Sequence, residues 1–328
     1  MPRVLITTEA IHKVPGKHVD LLRAAGYEVC YPAKSVLLNE DDTLEAMQGI
    51  VGVIAGGEPY TERVLAGLPQ LRVISRNGVG YDRIDVPAAT RRGVAVTITP
   101  EGNHQAVAEH TLAMILAVAR HVVQNAIDTR HGNWRRRKSH IPLRGATLGI
   151  VGLGRIGRSV AERAAAFGMR LVACEQFPNL DFVRQYSIEL VDLDALLAHS
   201  DFVTLHAPLT PETRELINRD TLARMKPGSV LVNTARGGLV NEGDLLAALK
   251  SGHLAGAGLD VLVVEPPPTE HPLLALENVI VSPHVAALDT RAIEDMAVGA
   301  AQNIVDLLAG KWPAASIVNP DVKPTFRH

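Results

Sequence analysis

Residues 148–175 read LGIVGLGRIGRSVAERAAAFGMRLVACE, and this stretch decides the fold. An apolar run fit for a buried strand passes directly into Gly152, Gly154 and Gly157 in G-x-G-x-x-G spacing. A helical pattern follows, and a second apolar run ends at Glu175. Six residues of that spacing mean little alone, but strand, glycine turn, helix and strand together form the context in which the motif binds a dinucleotide. The first glycine permits a tight turn, the second lets a pyrophosphate approach the backbone, and the third lets helix and strand pack closely. The helix start offers free N–H groups and the positive end of its dipole to the phosphates. Glu175 stands 18 positions after Gly157, near the spacing of about 20 at which an acidic side chain binds the adenosine ribose hydroxyls. An acid there repels a 2′-phosphate, and no arginine occurs in Gln176-Phe177-Pro178. NAD is therefore favoured over NADP.

Outward from this unit, short Val-, Ile- and Leu-rich runs alternate with helical segments along the whole chain, the signature of parallel sheets covered on both faces. Runs at 3–8, 27–32, 49–57, 71–78 and 94–98 form one series, and runs at 147–152, 169–175, 201–207, 229–235, 256–262 and 279–284 form a second. These eleven strands in two series predict an α/β protein with two doubly wound parallel sheets. Between the series lies a helical pattern from about 104 to 125, with small and apolar residues on most faces, as expected of a helix packed between domains. The segment HGNWRRRKSHIPLRG has no clean period and reads as an arm or loop. Residues 291–308 are helical again, and a proline-interrupted tail follows.

At 328 residues the chain exceeds what one hydrophobic core usually serves, so two domains are expected. Its 47% hydrophobic and 21% charged residues are those of an ordinary globular protein. A formal net charge of -2 supplies no field to hold a polyanion, so no nucleic-acid partner is expected. Cys30 and Cys174 are the only cysteines, each inside a strand-like run, which predicts neither a disulfide framework nor a metal site and points to the cytoplasm. The N-terminal apolar stretch is too short for a signal peptide. The apolar stretch at 112–119 falls well below the roughly 20 residues of a membrane span, so no membrane association is expected.

Ligands of open parallel sheets bind outside the carboxyl ends of the strands. In the second series Arg236 follows SVLVNTA, Glu265 follows GAGLDVLVV, and His284 follows VIVSP. Singly, each has an ordinary explanation as a loop residue, and His284 is one of 13 histidines. Beside a dinucleotide fold the three suit one task, hydride transfer to a carbonyl next to a carboxylate. An imidazolium donates a proton to the carbonyl oxygen and takes it back in reverse. A neighbouring glutamate favours the charged ring and orients it. The fork of Arg236 binds a carboxylate and polarises the carbonyl together. Pro283 lacks an N–H and resists helix, so it ends the strand and turns His284 outward.

These motifs resemble the D-isomer-specific 2-hydroxyacid dehydrogenase family, in particular its 3-phosphoglycerate dehydrogenase-like branch. The likeness spans nearly the whole chain: SRNGVGYDRIDVPAATRRGV, AEHTLAMILA, LGIVGLGRIG, HAPLTPETREL, VNTARGGLVNEGDLLAAL, AGAGLDV, EPPP and SPHVA. The resemblance implies a Rossmann NAD-binding domain over 101–285, inserted into a flavodoxin-like substrate domain formed by 1–100 plus 286–328. It implies Arg236, Glu265 and His284 as the catalytic set, with Arg155 and Ile156 against the pyrophosphate and Glu175 on the ribose. Backbone at Ala207, Thr234 and Ala235 would line the cofactor cleft, and Asp260 would accept from the nicotinamide carboxamide. The backbone of Val79 and Gly80 would hold the substrate carboxylate, hinge closure would exclude water, and the molecule would be a homodimer joined through the long helix and the arm around Trp134.

The substrate is less sharply implied. The run Arg135 to Lys138 reads either as a solvated, dimer-facing arm or as a contact to a phosphorylated substrate. Arg76 and Arg136 match positions that hold phosphate in the phosphoglycerate enzymes, but Gly56 stands where a further arginine is expected. Glyoxylate or hydroxypyruvate reduction is the nearest competitor. Formate dehydrogenases carry glutamine where this chain has Glu265, which sets them aside. A transcriptional co-repressor that senses NAD through the same fold is the alternative from another class, and the lack of an extended disordered tail argues against it. Regulatory domains of the kind longer phosphoglycerate dehydrogenases carry are not expected in these 328 residues.

Overall fold

A computed structural model describes residues 1–34, 39–134 and 140–326, which fall into two compact units. The first comprises Met1–Asn103 with Ala287–His328. Its sheet holds β1 (Arg3–Ile6), β2 (Glu28–Cys30), β3 (Ile50–Ala55), β4 (Val73–Arg76) and β5 (Ala95–Thr97), all parallel, in the order β2-β1-β3-β4-β5. That is the flavodoxin-like order. Side chains alternate across the sheet. Val4 and Ile6 enter one buried cluster with Ala297, Ala300 and Ile304 of the helix Thr290–Leu308. Leu5 enters the opposite cluster with Val53, Ile74 and Val96. The C-terminal tail is stitched to β5 by Asn319, whose Oδ1 accepts from Val96 N at 2.8 Å and whose Nδ2 donates to Val94 O at 3.0 Å.

The second unit, His104–Ala286, is continuous in sequence. Its strands are β6 (Thr147–Val151), β7 (Arg170–Cys174), β8 (Glu189–Leu190), β9 (Phe202–Leu205), β10 (Ser229–Asn233), β11 (Leu254–Leu259) and β12 (Val279–Val281). Their order, β12-β11-β10-β9-β6-β7-β8, is the dinucleotide-binding order with one strand added, and it reverses between β6 and β9. The helix His104–Ala119 buries Leu112, Ile115 and Val118. It sits close because β11 is glycine-rich: a Cβ at Gly256 would lie 2.7 Å from Val118, and one at Gly258 would lie 3.0 Å from Met114.

Two expectations need correction. There are twelve strands among the described residues, not eleven, because β8 is a two-residue edge strand with both residues exposed and so leaves no apolar run. The long helix is also broken. His104–Ala119 ends where Ile141 N donates to the Ala119 carbonyl at 3.0 Å, His121 adopts φ 51°, and Val122–Arg130 departs at 60°. No single helix among the described residues is long and apolar enough to cross a membrane. The Arg135 to Lys138 run, including Arg136, lies outside the described residues.

Candidate active site

At the point where the larger sheet reverses, β6 ends in the glycine turn. Gly152 has φ 92°, and a Cβ there would come within 2.8 Å of Ala207 N and of the His206 carbonyl, so the chain after β9 passes directly over it. At Gly157 a Cβ would lie 2.1 Å from the Gly152 carbonyl oxygen, which fixes the close approach of helix and turn. Gly154 differs, because a Cβ there would meet nothing within 4 Å. Internal packing therefore does not account for Gly154, and the space beside it is open to a ligand. Gly154 is also the N-cap of the helix Arg155–Ala166 and supplies no side-chain acceptor, so the first-turn amides at Arg155, Ile156 and Gly157 face outward without a side-chain cap. This is the donor set a pyrophosphate requires.

Glu175 closes the other side of the turn. Its Oε2 accepts from Leu153 N at 2.7 Å and its Oε1 from Phe177 N at 2.9 Å, so the carboxylate is tied to the glycine turn from the tip of β7. Each oxygen keeps lone-pair capacity for a further donor. Among these residues the fit to a dinucleotide is good.

The loop after β10 is fixed by Asn233, which accepts from Ala235 N at 3.0 Å and donates to Arg236 O at 2.8 Å. Thr234 Oγ1 pairs with Thr111 Oγ1 at 2.9 Å. A Cβ on Gly237 would fall 2.1 Å from the Leu262 carbonyl carbon and 2.4 Å from Val263 N. Gly237 is thus what lets the Arg236 loop lie against the loop that carries Glu265.

Glu265 Oε1 accepts from Leu262 N at 3.0 Å, while Oε2 meets His284 Nδ1 at 2.7 Å. Burial by itself would raise the Glu265 carboxyl; the bond and charge of His284, the Leu262 amide and the charge of Arg236 outweigh it and hold the group below its ordinary value. An ionised Glu265 can only accept, so the proton of a neutral His284 ring sits on Nδ1 and Nε2 is left for chemistry. The His284 side chain is 47% exposed, so that edge of the ring is reachable.

His284 has φ 54°, a left-handed conformation uncommon outside glycine and found where surrounding structure over-determines it. Here Asp260 does so. Its carbonyl accepts from His284 N at 2.8 Å, and its carboxylate accepts from Val285 N and Ala286 N, each at 2.9 Å, and from Ser282 Oγ at 2.5 Å. The Asp260 side chain has no exposed surface. The resemblance gives this residue to the nicotinamide carboxamide; in the structure its carboxylate is engaged by Ser282, Val285 and Ala286, in the loop that carries His284. His206, also at the carboxyl edge, is a competitor for the acid role that can be set aside, because burial pushes its ring down to about 3 and keeps it neutral. Sequence reading missed His110, which lies beside Asp260 and Ser282.

In the first unit, Val79 and Gly80 form a turn after β4. Arg76 braces it, donating from Nε to the Gly80 carbonyl at 2.6 Å and from its terminal nitrogen to the Ala55 carbonyl at 3.0 Å. Gly56, at the end of β3, is crowded: a Cβ would lie 3.1 Å from Glu58 Oε2 and 3.3 Å from the Thr7 carbonyl. Glu58 is only 3% exposed, and its Oε1 accepts from the Thr7 and Tyr60 hydroxyls.

Comparison with known proteins agrees with this geometry. Residues 112–286 match the family described as D-isomer specific 2-hydroxyacid dehydrogenase, NAD binding domain. A D-3-phosphoglycerate dehydrogenase of Archaeoglobus fulgidus is 39% identical over 94% of this chain, which spans only 58% of that relative's length. A glyoxylate reductase of Korarchaeum cryptofilum is 38% identical over 98% of this chain and 97% of its own. A solved structure of a Thermus thermophilus protein superposes with TM-score 0.87 at 41% identity, covering 96% of this chain and 99% of that one.

Proposed function

The chain belongs to the D-isomer specific 2-hydroxyacid dehydrogenase family, and on that premise we propose that it interconverts a D-2-hydroxy acid and its 2-oxo acid with NAD. The observation that carries this is the 2.7 Å contact of His284 with Glu265, in a loop set beside Arg236 at the carboxyl edge of a dinucleotide-binding sheet. When bound, the nicotinamide supplies hydride to the substrate's second carbon or accepts it from there. The first-turn amides after Gly154 hold the pyrophosphate, and Glu175 holds the ribose and disfavours a 2′-phosphate. Arg236 binds the substrate carboxylate and draws charge from the adjacent carbonyl oxygen. His284 donates its Nε2 proton to that oxygen in reduction and recovers it in oxidation, while Glu265 holds the ring and compensates its charge.

A small, unphosphorylated acid is favoured over 3-phosphoglycerate. Gly56 takes the place of an expected arginine and stands against the buried Glu58, while Arg76 is committed to two backbone carbonyls of its own unit. A carboxylate next to that position repels a phosphate. The amides of Val79 and Gly80 are assigned to an oxygen of the substrate carboxylate; Val79→Pro, which deletes one amide, then raises KM for the acid. We also propose a homodimer, supported by the exposed apolar side chains of Val122, Val123 and Ile127 on the helix Val122–Arg130 and of Trp134 beyond it, and tested by light scattering.

One substrate panel tests the whole reading: hydroxypyruvate, glyoxylate, pyruvate and 3-phosphohydroxypyruvate, each with NADH and NADPH. Turnover of hydroxypyruvate or glyoxylate with NADH is expected. No turnover of any acid would leave a nucleotide-binding protein without this activity, and preference for the phosphorylated acid would overturn the argument from Gly56 and Glu58.

A further inference from the structure

His110 projects from the helix His104–Ala119 with its side chain 25% exposed, far from the catalytic loop in sequence and beside it in space. Its Nε2 is 3.0 Å from Ser282 Oγ and 3.5 Å from Asp260 Oδ1. The direction of the chain of bonds follows from the number of protons. Ser282 has one hydroxyl proton, and at 2.5 Å it goes to Asp260, because a carboxylate can only accept. The serine oxygen is then an acceptor, so His110 must carry its proton on Nε2 and donate it. A serine so engaged is not an activated nucleophile, which removes any resemblance of the trio to a hydrolytic site. Among the described residues His110 is also the only basic side chain within ion-pair distance of Asp260, a carboxylate with no exposed surface.

We propose that His110 is a positioning residue for the reaction: by donating Nε2–H to Ser282 it fixes the hydroxyl that holds the Asp260 carboxylate, and so keeps residues 284–286 in the backbone geometry that presents His284 to Glu265. The proposal rests on the catalytic role given to His284 above. Asp260 anchors His284 through its main-chain carbonyl and Val285 and Ala286 through its carboxylate, so a change in the carboxylate's orientation moves the two amides that directly follow His284. Ring placement suffers in turn, because His284 holds a left-handed backbone directly before these two amides.

Four variants of the protein test this: His110→Leu, His110→Gln, Ser282→Ala and the double variant His110→Leu/Ser282→Ala. His110→Leu removes the donor, and His110→Gln keeps an N–H at the same reach. Loss of the donor is expected to lower kcat about tenfold, with the KM for NADH nearly unchanged, since the effect is on orientation at the reacting atoms. The amides of Val285 and Ala286 should exchange with deuterium at least about fivefold faster. His110→Gln should restore both to within about twofold, and His110→Leu combined with Ser282→Ala should be no worse than Ser282→Ala alone. Unchanged amide exchange in His110→Leu overturns the linkage, as does a glutamine variant no better than the leucine one, or additive losses in the double variant. The exchange measurement needs no substrate, so it decides the linkage even if the oxidoreductase reading fails.

Discussion

Gly237→Ala is a test of how closely the Arg236 and Glu265 loops must sit. A methyl group there would meet the Leu262 carbonyl carbon at 2.1 Å, its oxygen at 2.2 Å and Val263 N at 2.4 Å, whereas ordinary contact begins at 3.4 Å. The obstacle is backbone on both sides, so no rotamer change relieves it, and the loops must part by more than about 1 Å. Arg236 is the preceding residue, and Leu262 N is the donor that holds Glu265 Oε1, so the separation falls between the guanidinium and the carboxylate. A misplacement of about 1 Å costs roughly 100-fold in rate, or about 2.7 kcal/mol of transition-state stabilisation. The assay is kcat/KM for the best 2-oxo acid with NADH, run beside NADH titration by fluorescence and a thermal melt. Gly238→Ala is the control, since its Cβ would meet the ends of flexible side chains, Leu209 at 3.0 Å and Arg214 at 3.6 Å. If Gly237→Ala stays within about threefold of the parent while remaining folded, the loops tolerate separation and the geometric argument fails.

Other outcomes follow from the same site. His284→Gln should lose about 10² to 10⁴ in kcat with NADH affinity retained, as expected of a general acid; near-normal kcat would return His284 to an ordinary loop residue. Glu175→Ala should narrow the preference for NADH over NADPH by about tenfold; a parent enzyme with equal kcat/KM for the two cofactors would contradict the role assigned to Glu175. Glu265 has its carboxyl lowered on folding, so its contribution to stability is complete above the unfolded value of about 4.3 and is lost as pH falls through the lower folded value. Urea midpoints taken from about pH 6 down to about pH 3 should therefore fall more steeply for the parent than for Glu265→Gln, and parallel curves would count against it.

Much of the architecture is legible in the residues. The step from LGIV to three glycines and a helix locates the turn of the larger sheet, and nearly every remaining strand is an apolar run long enough to see. β8 escapes because Glu189 and Leu190 are both exposed and carry no pattern. The break after Ala119 escapes because no glycine or proline marks it; it depends on the Ile141 amide and on a left-handed His121. Arg236, Glu265 and His284 stand out since each lies within six residues of the carboxyl end of a strand. His110 does not, because its partner Ser282 is 172 residues away and a histidine on an apolar helix has no local sign of that contact.

The tail held by Asn319 bears on how the chain is made. The larger unit is one unbroken segment, His104–Ala286, and can close as soon as it leaves the ribosome. The first 103 residues emerge earlier, yet part of their core, Ala297, Ala300, Ala301 and Ile304, is synthesised only after that segment. One face of β1 and β3, covered only in part by Ile11, Val19 and Leu22, therefore waits through the synthesis of nearly two hundred further residues. During vectorial synthesis the later-born unit is the first that can finish folding, and a premature stop near residue 286 would release a complete dinucleotide-binding unit joined to an unfinished, aggregation-prone neighbour.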